Sequence, residues 1–547
     1  MRNDGSVILV LRPPEQLQRQ IDALGKGPLA PLSHAEYLER YGTPDEELER
    51  LEAWAASAQL QFADSAWREE AKLSGAVHLL GTPARIDDAL GVERDAATGA
   101  LQLRTPDALE GLLLWVFGVH PATASDGSSH SEPPRPSLPA LGGSRPVISQ
   151  PDKTLSPLQL AEAYQYPANR GAGQCLGLIE LTGAYSPDDV RTYLRLLGIT
   201  PAPRIVDVSL GPRCAPPLAN LEVTMDLELA ASLCPEATLV VYNACSQDYS
   251  LRDFFKVFNV AIFDTENRPS VLSTSWGFPE RVPEIHGGMA PRYAITAEEE
   301  APFNLLFAKA ALLGITICAS SGDTGSLVPF PCASAPSLAT LLPITYFPAA
   351  SPFVLGCGGT QTPADPEPLA TEEVWNQLGE ALIIDGGAFG FPVAGGSSGG
   401  GVSFLNGPAP YQEDCSVPEA RVTTWTHGVY QLRQLQRGRG VPDVAAYASL
   451  NPGCAIFYRG ALATVGGTSA AAPLWAALIT RVNAALGRRV GFLHPDLYRY
   501  QFERKTLCKT IQRGGNGAYQ ASQALWNPCT GLGTPNGKEI VKAFKSS

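Results

Sequence analysis

One serine and three carboxylic acids stand out in this sequence by their surroundings. Ser469 lies in Val465-Gly-Gly-Thr-Ser-Ala-Ala-Ala-Pro-Leu-Trp, at the head of an apolar run. Two glycines can bring the chain tightly into a helix start, where backbone N–H groups and the helix dipole favour negative charge. That is a suitable seat for a nucleophile whose attack leaves an oxyanion. A bare Gly-Thr-Ser reads equally well as a helix N-cap at Thr468 or Ser469. The full Gly-Thr-Ser-x-x-x-Pro string is much more specific.

Glu222 and Asp226 lie in Leu221-Glu-Val-Thr-Met-Asp-Leu-Glu-Leu-Ala. Four residues apart, they share one helix face. Pairs of this kind usually face solvent. Here the rest of the helix is apolar (Val223, Met225, Leu227, Leu229, Leu233) and the acids sit in its first turns, which argues for burial. A buried carboxylate pair shares protons, and its two titrations separate. The third acid, Asp323, follows an apolar strand in Ile315-Thr-Ile-Cys-Ala-Ser-Ser-Gly-Asp-Thr-Gly-Ser. This would place it at a sheet's carboxyl edge, although Gly-Asp-Thr-Gly alone is also a common turn. The serine string resembles the nucleophile segment of the subtilisin-like superfamily, whose base is a histidine in a His-Gly-Thr-His-type motif. Of the seven histidines only His286, His427 and His494 follow the linker described below, and none has that context. The acids are the remaining candidates to activate Ser469.

The elements that would position these groups are legible. A stretch rich in Pro, Ser and Gly, from Pro121 to about Gln150, reads as a linker, because it holds too little apolar surface to order itself. It divides the chain into residues 1–120, a small α+β unit, residues 121–152, the linker, and residues 153–547, the large domain. In the small unit the pattern predicts strands at Val7–Leu11, Ala76–Leu80 and Leu101–Leu103. It also predicts helices at Pro14–Leu24, from Thr43 (as N-cap) and at Pro83–Leu90. This is a split β-α-β, ferredoxin-like arrangement. Strands in the large domain are predicted at Cys175–Leu181, Arg204–Leu210, Thr238–Tyr242, Val271–Trp276, Ile315–Ser320 and Phe353–Gly356. Helices between them are predicted at Pro187–Leu197, Leu221–Leu233, Leu251–Phe263 and Ala297–Leu313. Near-continuous apolar strands alternating with helices imply an α/β fold, a parallel sheet covered on both faces, with its site at the carboxyl ends of the strands.

The bulk numbers exclude several functions. A chain of 547 residues exceeds one core, since single cores stop growing at about 250–300 residues. The net charge of −13 speaks against a nucleic-acid partner, which needs a basic stripe. No apolar run is long enough to span a membrane. The N-terminal apolar stretch is too short for a standard signal peptide. Eleven cysteines leave at least one thiol free. Cys175, Cys318 and Cys357 read as buried thiols, while Cys508 with Cys529, or Cys214 with Cys245, could pair.

Together these segments resemble the sedolisins, the serine-carboxyl peptidases, and most closely their kumamolisin branch. Glu222-x-x-x-Asp226, Ser-Gly-Asp323-Thr-Gly and Gly-Thr-Ser469-x-x-x-Pro fall in the family order. Further matching stretches are Gly-Leu-Ile-Glu180-Leu, Ser-Thr-Ser-Trp276-Gly, Phe-Pro-Ala-Ala-Ser351-Pro, Ser398-Gly-Gly-Gly-Val-Ser403, Gly-Val-Pro-Asp443-Val-Ala and Trp526-Asn-Pro-Cys-Thr-Gly-Leu-Gly. The resemblance implies a subtilisin-like domain preceded by an activation prodomain, and an acid-acting endopeptidase made as a self-processing zymogen. It implies Ser469 as nucleophile, Glu222 as general base, Asp226 hydrogen-bonding and orienting Glu222, and a protonated Asp323 donating to the oxyanion. Glu180 and Trp276 would extend the network, and Ser398, Gly399, Gly400 and Gly401 would hold the substrate backbone as an added strand. Partners would be protein or peptide substrates and the chain's own prodomain as intramolecular inhibitor and chaperone. The protein would be a secreted monomer, cut within about Pro136 to Leu155.

The chain departs from the family at its end. Sedolisins carry calcium there, on an Asp-Ile pair and a later Gly-x-Gly-x-Asp. Here those places read Thr510-Ile511 and Ser522-Gln-Ala-Leu-Trp526-Asn527. With both carboxylates replaced, calcium should bind weakly or not at all, and the chemistry itself needs no cofactor. Ile344-Thr-Tyr346 stands where kumamolisins carry an aspartate that shapes substrate preference, and insertions at Leu327–Leu342 and Gly379–Gly395 are additional. Two rival readings are a tripeptidyl exopeptidase of the same family and a non-catalytic relative, which would be expected to have lost one of the four central residues.

Overall fold

The protein is described by a computed structural model. It covers residues 5–25, 30–94, 101–119, 154–211, 219–281, 294–326, 328–332, 335–342, 345–363, 371–377, 396–426, 429–434 and 437–545. The linker, the expected cleavage region up to residue 153, Cys214 and the segment 379–395 lie outside the described residues.

The N-terminal unit is a four-stranded antiparallel sheet in the order Gln61–Phe62, Ala76–Gly81, Gly5–Leu11, Leu113–Phe117. Its central strand reads as an unbroken apolar run because both faces are covered. Val7, Leu9 and Leu11 pack on Leu48, Leu51 and Trp54 of the helix Asp45–Ser57. The alternate residues Ile8 and Val10 join Phe254 and Phe258 of the helix Leu251–Ile262, and Phe303 of the helix Ala297–Leu312, in a second core. Phe117 sits 4.9 Å from Phe255 and 5.5 Å from Phe303, ring centre to ring centre. The small unit is therefore docked on two helices of the large one. Lys309, buried in this contact, donates to Ser74 O at the end of the helix Trp67–Ser74 (2.7 Å).

Two details differ from expectation here. Thr43 does not cap a helix. Its hydroxyl donates to Ala71 O (3.1 Å), and the helix begins at Asp45 behind Pro44. Leu101–Leu103 pairs with Val92–Arg94 as a separate hairpin outside the sheet.

The large domain is built on an eight-stranded sheet. The order is Glu373–Val374, Leu355–Gln361, Thr316–Ser320, Val271–Thr274, Cys175–Glu180, Thr238–Asn243, Arg204–Ser209, with Val444–Tyr447 also pairing Leu355–Gln361. Every pairing is parallel except that of the short edge strand Glu373–Val374. The α/β, subtilisin-like fold and the helices Pro187–Leu196, Ala219–Leu233, Leu251–Ile262 and Ala297–Leu312 match the sequence pattern. The predicted strand at Phe353–Gly356 begins later and runs on through Gln361. Its glycines look like a loop in sequence, yet they are needed for contact. A Cβ on Gly359 would sit 2.7 Å from Ala448 Cβ. The insertion after residue 327 forms a hairpin, Val328–Cys332 with Ala335–Leu342. Among the described residues no helix is long and apolar enough to cross a membrane.

Candidate active site

The helices Ala219–Leu233 and Thr468–Leu486 pack together over one face of the sheet, with Val223, Leu227 and Ala230 in the same core as Ala470, Leu474 and Leu478. Their starts meet the carboxyl ends of three strands. Glu180 is the last residue of Cys175–Glu180, Ser275 follows Val271–Thr274, and Asp323 follows Thr316–Ser320. Four acids and the serine thus converge from four elements, and Ser275 joins them from a fifth. Ser469, Asp226 and Glu180 are fully buried, and Glu222 is 5 % exposed.

Ser469 lies in the first turn of its helix, after Gly467 at φ 92°, a left-handed conformation that favours glycine. Thr468 meets Asp323. Its N–H and its hydroxyl both donate to Asp323 Oδ1 (2.7 Å each), although the hydroxyl also lies 3.0 Å from Gly322 N. Pro473 is four residues beyond Ser469 and has no N–H, so the Ser469 carbonyl lacks the usual helical donor. Ser275 Oγ stands 3.1 Å from that carbonyl oxygen instead.

Ser275 is also the partner of Asp226, at 2.8 and 3.0 Å from its two oxygens. This corrects the expectation that Asp226 hydrogen-bonds Glu222: its bonds run to Ser275, and its link to Glu222 is electrostatic. A hydroxyl has one proton to give. With Asp226 protonated, its O–H donates to Ser275 Oγ, and Ser275 donates onward to the Ser469 carbonyl. The Ser469 hydroxyl is hydrogen-bonded to Glu222, whose Oε1 has no partner in the structure. Trp276 Nε1 donates to Glu180 Oε2 (3.0 Å).

Burial pushes all four acids up. Glu222 and Asp226 are raised well above the usual carboxyl range by desolvation first, then by the charge of Glu180 on both, of Asp323 on Glu222 and of Glu222 on Asp226. Glu180 rises to about 7 by desolvation, opposed by the Trp276 bond. Asp323 rises to about 6 by desolvation, opposed by the two Thr468 bonds. The pushes between acids exist only when the neighbour is charged. The first proton therefore leaves this cluster more readily than the last, and the group titrates as a unit.

The segment Ser398–Gly401 packs beside the Asp323 loop. It is buried, and its seen bonds are to the protein itself. Gly399 N donates to Gly322 O (2.7 Å), Ser321 Oγ donates to Gly399 O (2.7 Å), and Ser398 Oγ donates to Cys529 O (2.7 Å). A Cβ on Gly399 would lie 2.1 Å from Ser321 O, and one on Gly400 2.2 Å from Pro528 O. Gly401 pairs with Val441 in a two-stranded sheet. These glycines are spent on close packing that holds the Asp323 loop, with Ser397 N donating to Asp323 O (2.9 Å). Sequence reading missed Ser275 and Thr468 as members of the network. Both stand next to flagged residues, Trp276 and Ser469, and that adjacency was the available signal.

At the chain's end the residues do not fit a calcium ion. Asn527 Nδ2 donates to Ile511 O (3.2 Å), while its Oδ1 accepts from Cys529 N, Thr530 N and Thr530 Oγ1 at 3.0 to 3.2 Å. The oxygens that could face a cation are already engaged, and no carboxylate joins them. Among the described residues no group of three metal-binding side chains occurs. Cys508 and Cys529 are both free thiols, so the suggested link between them is absent.

No protein-family model matches the chain. It is 36% identical to kumamolisin of Bacillus sp. (strain MN-32) over 404 residues, 72% of this chain and 64% of that protein. It is 27% identical to physarolisin of Physarum polycephalum over 407 residues, again spanning 64% of that protein. Over 268 residues, 44% of the chain, it is 31% identical to tripeptidyl-peptidase sed1 of Aspergillus fumigatus, and it spans 37% of that protein. The chain thus spans just under two thirds of the length of kumamolisin and of physarolisin. Among solved structures, Pseudomonas sedolisin in complex with pseudo-iodotyrostatin superposes with a TM-score of 0.57 at 22% identity. That match covers 72% of this chain and 99% of the other.

Proposed function

The chain belongs to the sedolisin family of serine-carboxyl peptidases, in its kumamolisin branch, and on that premise we propose that it is an acid-acting serine endopeptidase made as a self-processing zymogen. The observation that carries this is the Ser469 hydroxyl bonded to a buried Glu222, with a second acid, Asp323, held by Thr468 at the same helix start. In this reading Glu222 takes the proton from Ser469 Oγ as Oγ attacks the scissile carbonyl. Asp323 keeps a proton. Thr468 bonds only its Oδ1, so the O–H on Oδ2 can donate to the oxyanion. Glu222 then protonates the leaving amine, and water entering along the same path hydrolyses the acyl-enzyme. Asp226 and Ser275 hold the Ser469 helix start, and Glu180 with Trp276 borders the cluster.

The N-terminal unit acts as prodomain, cut from the rest within the linker. The mature protein works as a monomer on proteins or peptides in an acidic medium outside the cell. It needs no calcium, because the Asn527 amide makes the bridge to Ile511 O. A chelator should leave its unfolding midpoint unchanged, and a fall of several degrees would contradict this.

The match to tripeptidyl-peptidases favours a second reading, an exopeptidase that releases N-terminal tripeptides. An internally quenched peptide blocked at its N-terminus separates the two. The endopeptidase reading predicts cleavage at acid pH, lost in Glu222→Gln by about 10²–10⁴-fold. Turnover of a free N-terminal tripeptide reporter with no attack on the blocked peptide would select the exopeptidase.

A further inference from the structure

Two buried glutamates lie outside the Ser469 cluster and take no part in its chemistry. Glu280 follows the segment Ser275–Pro279 that leaves the sheet at the site. Glu300 is in the first turn of the helix Ala297–Leu312, on which the N-terminal unit rests. Their exposures are 0 % and 2 %. No lysine, arginine or histidine pairs with either among the described residues.

The two are joined through one loop. Glu280 accepts a short hydrogen bond from Ser403 Oγ, and a second from Phe404 N (2.9 Å). Asn406 Nδ2 donates to Glu300 Oε2 (2.8 Å) and lies 3.4 Å from Ser403 Oγ. Asn406 Oδ1 accepts from Asn304 Nδ2 (3.1 Å), and Ser351 Oγ donates to Asn304 Oδ1 (2.6 Å). Glu300 Oε1 has no partner.

The charged groups that act on Glu300 are Glu280 and Arg439, and Arg439 is already bound to Asp443 at 2.5 Å. Glu299, next in the chain, is turned back to accept from Thr296 N (2.9 Å). Two bare carboxylates in such a site repel, and among the described residues no cation forms an ion pair with either. One of the two must carry a proton for the network to hold. The donor count assigns it. Glu280 receives two donors and suits the charge, while Glu300 receives one and has an idle oxygen for the proton.

We propose that Glu280 and Glu300 form a second proton-sharing carboxyl pair, which latches the segment behind Trp276 to the helix Ala297–Leu312 only while it holds a proton. Burial raises both carboxyls, and the charge of Glu280 adds to the rise at Glu300. The sign follows. A carboxyl raised on folding contributes its full stability below its unfolded value, about 4.3, and loses it as the pH climbs through the folded one. The latch is closed in acid and strained at neutral pH. It acts on the fold, so it stands or falls separately from the peptidase reading.

The test is thermal unfolding of the full chain between pH 4 and 7, in a Ser469→Ala background so that the chain stays whole. Glu300→Gln supplies a neutral isostere of the protonated acid. Its midpoint should match the parent at pH 4 and exceed it by about 2–4 °C at pH 7. Glu280→Gln, made independently, should behave in the same direction. A difference from the parent that stays constant with pH, or that falls as pH rises, would overturn the proposal. Failure of both variants to fold would do so as well, because the pair requires one neutral member in any case.

Discussion

Asp323 and Glu222 are asked for opposite protonation states within one cluster, and the surroundings make that possible. Asp323 is lifted to about 6, so it is a neutral donor below that value and an anion above it. An anion cannot donate to an oxyanion. Activity should therefore fall as pH rises through about 6. On the acid side it should fall once the cluster of Glu180, Glu222 and Asp226 has taken up its last proton and no base remains. Asp323→Ala removes the donor and should lower kcat by about 10²–10³. Asp323→Asn keeps an N–H donor that does not ionise. Its pH–kcat profile should lose the limb near 6, at reduced but measurable rate. If Asn at this position left that limb in place, Asp323 would not be the acid that sets it.

A helix start, a proline and a serine from a neighbouring strand end act together at the scale of elements. Pro473 removes one helical bond from the Ser469 carbonyl, and Ser275 takes its place, tying the helix to Asp226. Pro473→Ala would return an N–H to the helix and compete with Ser275 for that carbonyl. Proline costs a helix interior about 3 kcal/mol, so the variant should be no less stable in thermal unfolding. Its kcat should nevertheless drop, and a variant of unchanged kcat would show that the tie is dispensable. Much at this scale was legible. The helix from Ala219 and the strands to Glu180 and Ser320 announced themselves through apolar runs and their breaks. The strand Leu355–Gln361 was legible only at its start, because its later glycines serve packing and look like a loop. Sequence likewise cannot tell a glycine kept open for a ligand from one crowded by its own protein, as Gly399 and Gly400 are. The Asp226–Ser275 bond was hidden because its partners are 49 residues apart, and spacing along a helix speaks only for near neighbours.

Across the whole molecule, the N-terminal sheet completes a core it shares with the large domain. Ile8, Val10 and Phe117 are buried against Phe254, Phe255 and Phe303, so removing the small unit exposes apolar surface on two helices. A docked unit of this kind suits a folding partner that is later shed. The full-length chain should be taken from neutral buffer to about pH 4, near an ordinary carboxyl pKa, beside Ser469→Ala, with intact mass followed over time. The account predicts that the parent loses its N-terminal unit by a cut between the two domains while the Ser469→Ala chain stays whole. Equal cleavage in both, or an unchanged parent that is folded at pH 4, would contradict it.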